Sequence, residues 1–557
     1  MPVGTGGRRK AGLAGGAAAG FLARAQAAAA YARRTGCGIG EATEAVAAAG
    51  PSRRQVLGGA GAAALAAAAP FAWSQRAAAS PWPRVVIVGS GLAGLGCAYR
   101  LWHGHGLRSE VYEYNPHQIG GRVQTLRGFF DAGQYAEQHG EFISSEHTEM
   151  RKLATGFGLR LDNVLKYPPH TRPADYRLRF GGRFWSQAAL NRDWHEWARA
   201  LFLDAASNKA PWPTLYNKSS AWGRRWDHMP ATDWIEKYIP GGLNSDFGLL
   251  CAAILLDEYG GPVEEQSALN LVYLLGFDDS TDSGLQPKKY PELSGTDEKW
   301  HIHGGNDQVI TGLARRLPAG SIRVGERLVA LRARGQSGYT CTFSSGWATR
   351  DVRADHVVLA LPFTKLRDVE MSGIDLPRPQ QRAISHEPLG SNSKIQLQFS
   401  SRVWNADHWT GNMYDDGIVQ GGWETTVDQP GRPGILVALP GGAVGAGIGR
   451  RYGLTSYYGP APDAMARDFL RDFEASFPGV TAAYNGKAYY AWSSGDPHIG
   501  GAYSYFKPGQ YTGFNGIQGR RHGNLHFAGE QTSVDFQGFM EGALRSGYRC
   551  AAEILAR

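Results

Sequence analysis

The chain has 557 residues, enough for two or more hydrophobic cores, and its apolar content is that of an ordinary globular protein. Its net charge of +8 invites a nucleic-acid or anionic-membrane reading, but nine Lys and Arg against two Asp and Glu in residues 1–80 supply +7 of it. The remainder, with 49 basic and 48 acidic residues, is near neutral and carries no basic footprint, so nucleic acid is excluded as the partner.

Residues 1–80 are rich in Ala and Gly and read as a leader rather than as fold. Ser52-Arg53-Arg54 stands before a weakly hydrophobic stretch reaching Ala72, which resembles a twin-arginine export signal with Ala77 to Ala79 as cleavage sites. The expectation is export of an already folded protein to the periplasm or medium; a leader with an accidental arginine pair is the other reading. No later apolar run is long enough to span a bilayer, and no membrane tail precedes Arg557. Five cysteines without C-x-x-C spacing read as buried free thiols, Cys97 and Cys550 on helices and Cys37 in the leader.

Val85 to Val88 is a short β-branched run, the pattern of a buried parallel strand. Gly89, Gly91 and Gly94 follow as G-x-G-x-x-G, and Leu95, Ala98 and Leu101 continue with helical spacing. Glycines there allow a tight turn, close backbone approach to a pyrophosphate and helix–strand packing, with the helix N-terminus facing the phosphates. Glu113 closes a second strand about 20 residues on, where an acid binds a ribose hydroxyl. A dinucleotide site is the reading; a glycine-rich turn of another α/β protein is the alternative. Beyond the second strand comes a further glycine pair and an arginine, Gly120-Gly121-Arg122. At the other end of the chain His526-Phe527 ends a strand, Ala528-Gly529-Glu530 turns, and Gly538-Phe539-Met540 opens the last helix.

These segments together resemble the flavin-containing amine oxidase family (monoamine, polyamine and L-amino-acid oxidases). The resemblance implies FAD, an α/β (α+β two-domain) fold, and a Rossmann-like FAD-binding domain interleaved with a mixed-sheet plus helical substrate domain. The FAD-binding domain is expected at 81–165, 300–382 and 495–557, and the substrate domain at 166–299 and 383–494. Between 168 and 298 the composition shifts to Pro168, Pro169 and scattered tryptophans among polar residues, suiting helices, long loops and aromatic walls. The polar stretch 277–298 reads as a surface excursion, and 301–317 starts a helix. His301-Ile302-His303 alternates along a strand and lacks a third ligand, so no metal is expected. Segments 322–331 and 355–362 read as strands, and 383–494 is again strand-rich. The resemblance gives Gly89, Gly91, Gly94, Glu113, Gly121, Arg122, Glu530 and Met540 to the cofactor, with the backbone of Val329 at the adenine.

In Ser393–Phe399, Ile395, Leu397 and Phe399 share one face, and Lys394, Gln396 and Gln398 the other. Read alone, Lys394 is a solvated strand lysine. The resemblance makes it the lysine that holds a water against flavin N5, where positive charge stabilises superoxide as O2 is reduced. Tyr503 and Phe539 fall on the two aromatic walls that enclose an amine, or else are plain core aromatics. Ala502 takes the place of the cysteine that bonds flavin in mitochondrial monoamine oxidases, so FAD is expected to be held non-covalently. Phe142 lies where L-amino-acid oxidases carry a carboxylate-clamping Arg. Glu141 beside it is either a structural acceptor or an attractor of a second ammonium. The implied activity is oxidative deamination of a small-molecule amine with O2 as acceptor, in a chain that could form a homodimer. An L-amino-acid oxidase, a flavin-dependent desaturase and a non-catalytic flavoprotein are the alternatives.

Overall fold

The computed structural model describes residues 82–166, 176–276, 297–335 and 338–556. The leader, Pro168, Pro169 and residues 277–296 of the polar stretch lie outside the described residues.

Val85–Val88 is the middle strand of a five-stranded parallel sheet, ordered Leu525–Phe527, His356–Leu359, Val85–Val88, Ser109–Tyr112, Ile322–Arg323. A central parallel strand is covered on both faces, which is why all four of its residues are apolar and buried. The helix Leu92–His105 packs on this sheet through Leu95, Cys97, Ala98 and Leu101 and ends on Gly106 in the left-handed conformation. The C-terminal helix Met540–Leu555 crosses it closely. A Cβ on Gly96 would press on Leu544, and one on Gly547 would collide with the Ala93 carbonyl, so both helices need glycine at the crossing. The first and last cofactor segments of the chain thereby share one core.

The second lobe is built on an eight-stranded mixed sheet, ordered Tyr458–Pro460, Tyr484–Trp492, Ser393–Phe399, Gly434–Ala438, Gly421–Glu424, Met413–Asp415, Arg177–Phe180, Arg183–Trp185. Its neighbours run antiparallel except where Arg177–Phe180 joins Met413–Asp415 in parallel. Helices Ala221–Asp227, Ala231–Tyr238, Asp246–Tyr259 and Ala268–Leu275 stack beside it around Trp226, Trp234 and Phe202. No helix among the described residues is long and apolar enough to cross a membrane.

Two expectations are corrected here. The single strand read over 322–331 is two, because Gly325 (φ +74°) turns the chain: Ile322–Arg323 edges the parallel sheet, and Arg327–Ala333 opens a three-stranded antiparallel sheet. Strand Ser393–Phe399 alternates as expected, but every residue in it is buried. Its polar face is not solvated: Gln396 donates to the Glu137 carbonyl (2.7 Å), Gln398 to the Asp131 carbonyl (3.1 Å), and Lys394 is ion-paired. The period-2 pattern reports a polar interface between lobes rather than a water-facing side.

Candidate active site

A cavity of about 600 Å³ runs from the Gly89–Gly91 turn to Tyr414 on the mixed sheet. At its first end the three motif glycines have different reasons to be glycine. Gly89 has φ +103°, and a Cβ there would strike the Ala360 carbonyl; one on Gly94 would strike the Gly89 carbonyl. At Gly91 an added Cβ meets nothing within 4 Å. Protein packing therefore requires the first and third, whereas only something lying in the cavity requires the second. Gly91 is also the N-cap of helix Leu92–His105 and caps it with no side chain, leaving first-turn N–H groups and the positive end of the helix dipole at the cavity.

Gly91 bridges to Gly120, which sets Gly120-Gly121-Arg122 along the same wall. Glu113 borders the cavity and accepts from the Ser90 N–H (2.9 Å), the Ser90 hydroxyl (2.7 Å) and the Asn115 N–H (2.8 Å). Arg122 donates to the Ala502 carbonyl and to Glu530 (3.1 Å), and Glu530 also accepts from the Ser504 hydroxyl (2.7 Å) and the Gly538 N–H (2.9 Å). Helix Met540–Leu555 likewise starts without a side-chain cap, with Gly538, Phe539 and Met540 on the cavity wall. Two helix N-termini and a glycine-lined passage fit an elongated anionic dinucleotide such as FAD. Val329 is not among the residues that border the cavity. Its carbonyl accepts from the Glu370 N–H (2.9 Å), and the cavity is bordered by Glu326, Arg327 and Leu328 instead. A bulge between Leu328 and Ala330 shifts the register there, a feature that strand periodicity does not reveal.

Farther in, Lys394 donates to Glu141 Oε2 at 2.5 Å and lies 5.2 Å from the centre of the Trp423 ring. Glu141 Oε1 accepts from the Trp423 indole (2.9 Å) and the Thr425 hydroxyl (2.6 Å). Burial alone would push the Glu141 carboxyl up, but Lys394 and Thr425 hold it below the usual carboxylate range. With both oxygens engaged, Glu141 is not free to attract a substrate ammonium, and that reading of it is corrected to a partner of Lys394. Phe142 packs on Trp423 (5.6 Å between ring centres). Tyr503 and Phe539 border the same cavity, brought together by Gly538, whose Cβ position lies 3.8 Å from the Tyr503 Cβ. The Tyr503 hydroxyl donates to the Asp257 carbonyl (2.7 Å). Burial and then Lys394 push the cavity-lining His139 down to about 3, so it is neutral at physiological pH.

Sequence reasoning missed Asp257 and Glu258, which close the apolar helix Asp246–Tyr259 and border the cavity. Burial, with repulsion from Glu298 on Asp257 and from Asp257 on Glu258, pushes both carboxyls up to about 8. The signal was two adjacent acids ending a run of Leu, Ile and Ala, a pattern that no motif names. The histidine pair also proved richer than expected. His301 is buried against Glu137 (2.9 Å), and His303 lies within 4.8 Å of both Asp162 and Asp428. Three potential ligands do converge, but Arg160, 2.8 Å from Asp162, already supplies positive charge there.

The sequence profile described as flavin containing amine oxidoreductase matches residues 92–555. Amine oxidase [flavin-containing] B of Cavia porcellus is 24% identical over 480 residues, covering 85% of this chain and 86% of that protein. An L-amino-acid oxidase of Siganus canaliculatus is 26% identical over 493 residues, covering 84% and 85%. Among solved structures, cyclohexylamine oxidase from Brevibacterium oxydans superposes with a TM-score of 0.69 at 23% identity, covering 86% of this chain and 100% of that one. Putrescine oxidase bound to putrescine gives a TM-score of 0.68 at 19% identity, covering 86% and 99%. The parallel sheet, the paired helix N-termini and the family match agree: this chain belongs to the flavin-containing amine oxidoreductases, enzymes that act on amines with a flavin cofactor.

Proposed function

We propose that this enzyme deaminates a primary or secondary amine oxidatively, with non-covalently held FAD and O2 as the final acceptor. When bound, FAD supplies two-electron oxidation of the carbon bearing the amine, giving an imine that water hydrolyses and, through O2, hydrogen peroxide. The chain's own residues bind, orient and exclude water. The glycine turn, Arg122 and the two helix N-termini would hold the cofactor, while Tyr503, Phe539 and Phe142 wall the reacting end.

One observation carries the choice of amine over α-amino acid. Around the mixed-sheet end the walls present Asp257, Glu258 and Glu298, Phe142 stands at the clamp position, and the one lysine, Lys394, is already paired with Glu141. The arginines that line the cavity among the described residues, Arg122 and Arg327, stand on the cofactor side, so a substrate carboxylate would find no bidentate partner at that end. The test is peroxide release by the flavin-loaded protein against monoamines, polyamines and L-amino acids. Turnover of amines at least tenfold above amino acids is expected. A preference for L-amino acids would transfer the enzyme to the class of the Siganus canaliculatus relative.

A further inference from the structure

We infer that helices Ala221–Asp227 and Arg378–His386, with the loop at Arg520 and Arg521, form a docking face for the surface of an anionic lipid membrane. The arginines and tryptophans of this face do not border the cavity, so it is a site separate from the one that handles the amine.

The near neutrality of the chain beyond residue 80 conceals an uneven distribution. Segments 217–228, 377–386 and 507–523 hold eight Lys and Arg and a single acid, Asp227. Asp227 is buried and spent inside the fold, accepting from the Thr512 hydroxyl (2.6 Å) and the Tyr511 N–H (3.1 Å), so it does not offset the charge outside. The fold gathers the three segments. Both helices pack on the short helix Gln510–Phe514, where bare glycines leave room for their basic side chains. A Cβ on Gly513 would lie 3.4 Å from the Arg382 guanidinium, and one on Gly509 would lie 3.2 Å from the His228 ring. Gln380 donates to the Arg520 carbonyl (2.7 Å), which sets Arg520 and Arg521 beside helix Arg378–His386.

Of the eight basic residues only Lys507 has an ion partner among the described residues, Glu265; the other seven are exposed. Elsewhere exposed arginines are matched, Arg350 with Glu326, Arg332 with Glu370 and Arg451 with Asp468, each at 2.8 Å. Arg378 and Arg382 stand four apart on one helix, a like-charge spacing that costs helix stability. Fold stability therefore does not account for the cluster, whereas an anionic partner does. The aromatic side chains select which partner. Trp222 is 37% exposed, with Arg225 5.2 Å and Lys209 5.9 Å from its ring centre. Trp212, 43% exposed, stands on the loop that packs against Gly223 through Thr214. Indoles among arginines fit the boundary of headgroups and acyl chains, where a ring is apolar on one side and wet on the other while guanidinium groups meet phosphates. Attachment is peripheral, since no helix among the described residues is long and apolar enough to cross a membrane.

The experiment sediments the flavin-loaded full chain with vesicles of phosphatidylcholine, alone or mixed equally with phosphatidylglycerol. Partition onto the mixed vesicles should exceed that onto the neutral ones at least tenfold and should fall as salt is raised. Arg378→Glu combined with Arg382→Glu should lower it at least tenfold, and Trp222→Ala should lower it without changing the salt dependence. Residues 1–80 are common to every variant, so their own basic charge drops out of the comparison. Equal partition onto both vesicle types would overturn the inference, and so would a charge-reversed variant that partitions like wild type. Retention on heparin without vesicle binding would also overturn it, by giving the face to a polyanion in solution. If the double reversal on the helix fails to fold, Arg520→Glu with Arg521→Glu in the exposed loop puts the same question with the same expected loss.

Discussion

Lys394 Nζ stands 2.5 Å from Glu141 Oε2, although the two lie 253 positions apart in the chain, and both side chains are buried. The pair joins the lobes, because Glu141 belongs to the cofactor-side segment and Lys394 to the central strands of the mixed sheet. It also sets the local charge near zero: the cation at the reacting end is tethered and aimed by a carboxylate that Trp423 and Thr425 fix in turn.

Lys394→Met should accordingly do two separable things. Stripping a buried carboxylate of its ion partner is expected to cost about 3–5 kcal/mol in urea unfolding, and adding Glu141→Gln should restore more than half of it. If Lys394 also promotes oxygen reduction, reoxidation of the reduced enzyme should slow at least tenfold in both variants, about 1.4 kcal/mol of barrier. A stability loss repaired by the double variant, with oxidation unaltered, would confine Lys394 to the ion pair.

Much of this was readable beforehand, for identifiable reasons. Val85–Val88 and Gly89–Gly94 are local patterns whose geometry depends on a few neighbours, so sequence specified the strand, the turn and the helix together. Ser393–Phe399 shows the limit. Alternation identified which side chains share a face, but whether water or protein covers that face is decided by residues 131–141, remote in sequence. The irregularity between Leu328 and Ala330, which leaves Val329 out of the strand pairing, is a slip that periodicity averages away. Asp257 and Glu258 escaped because what marks them, burial at the end of an apolar helix on the cavity wall, is a property of packing alone.

The pair His301–Glu137 predicts an alkaline loss of stability. Burial alone would push the His301 imidazole down, but Asp428 and Glu137 outweigh it and raise it to about 10 from its ordinary 6.5. A raised imidazole contributes stability that is full below pH 6.5 and is lost as pH rises toward 10, at no more than about 1.4 kcal/mol per unit. The stability gap between wild type and His301→Gln should therefore shrink between pH 6 and pH 9.5 in urea titrations. A gap that is constant or widens would show that His301 is neutral in the fold.

The glycine motif offers a contrast of two alanines. Gly94→Ala places a Cβ against the Gly89 carbonyl, and overpacking of this kind is expected to cost about 1–3 kcal/mol or more with or without flavin. Gly91 has φ −68° and open space around it, so Gly91→Ala should cost the apoprotein only about 1 kcal/mol, the loss of a favourable N-cap residue. Its methyl group would instead stand in the phosphate path and weaken FAD binding at least tenfold, about 1.4 kcal/mol, in a fluorescence titration. Unchanged affinity in Gly91→Ala would mean that the pyrophosphate does not pass this turn.

Export through the twin arginines is tested in the cell. Replacing Arg53 and Arg54 by Lys keeps the charge and removes the paired guanidinium groups. Active, flavin-loaded enzyme should then accumulate inside, while the unchanged sequence delivers it beyond the cytoplasmic membrane. Equal delivery by both would reduce residues 1–80 to an Ala-rich leader.

Attachment of the flavin is settled by where its colour goes. Ala502 borders the cavity with only a methyl group, and no cysteine among the described residues lies on the wall. Cys97, Cys251, Cys341 and Cys550 are buried, and burial pushes every one of their thiols up, away from the reactive thiolate. The nucleophile to watch is His498, which borders the cavity and holds Nδ1 3.0 Å from Asp496, leaving Nε2 to act. Acid precipitation should leave the yellow colour in solution for both wild type and His498→Ala. Colour that stays with the wild-type polypeptide and leaves with His498→Ala would establish a histidyl bond, and the non-covalent reading drawn from Ala502 would fall.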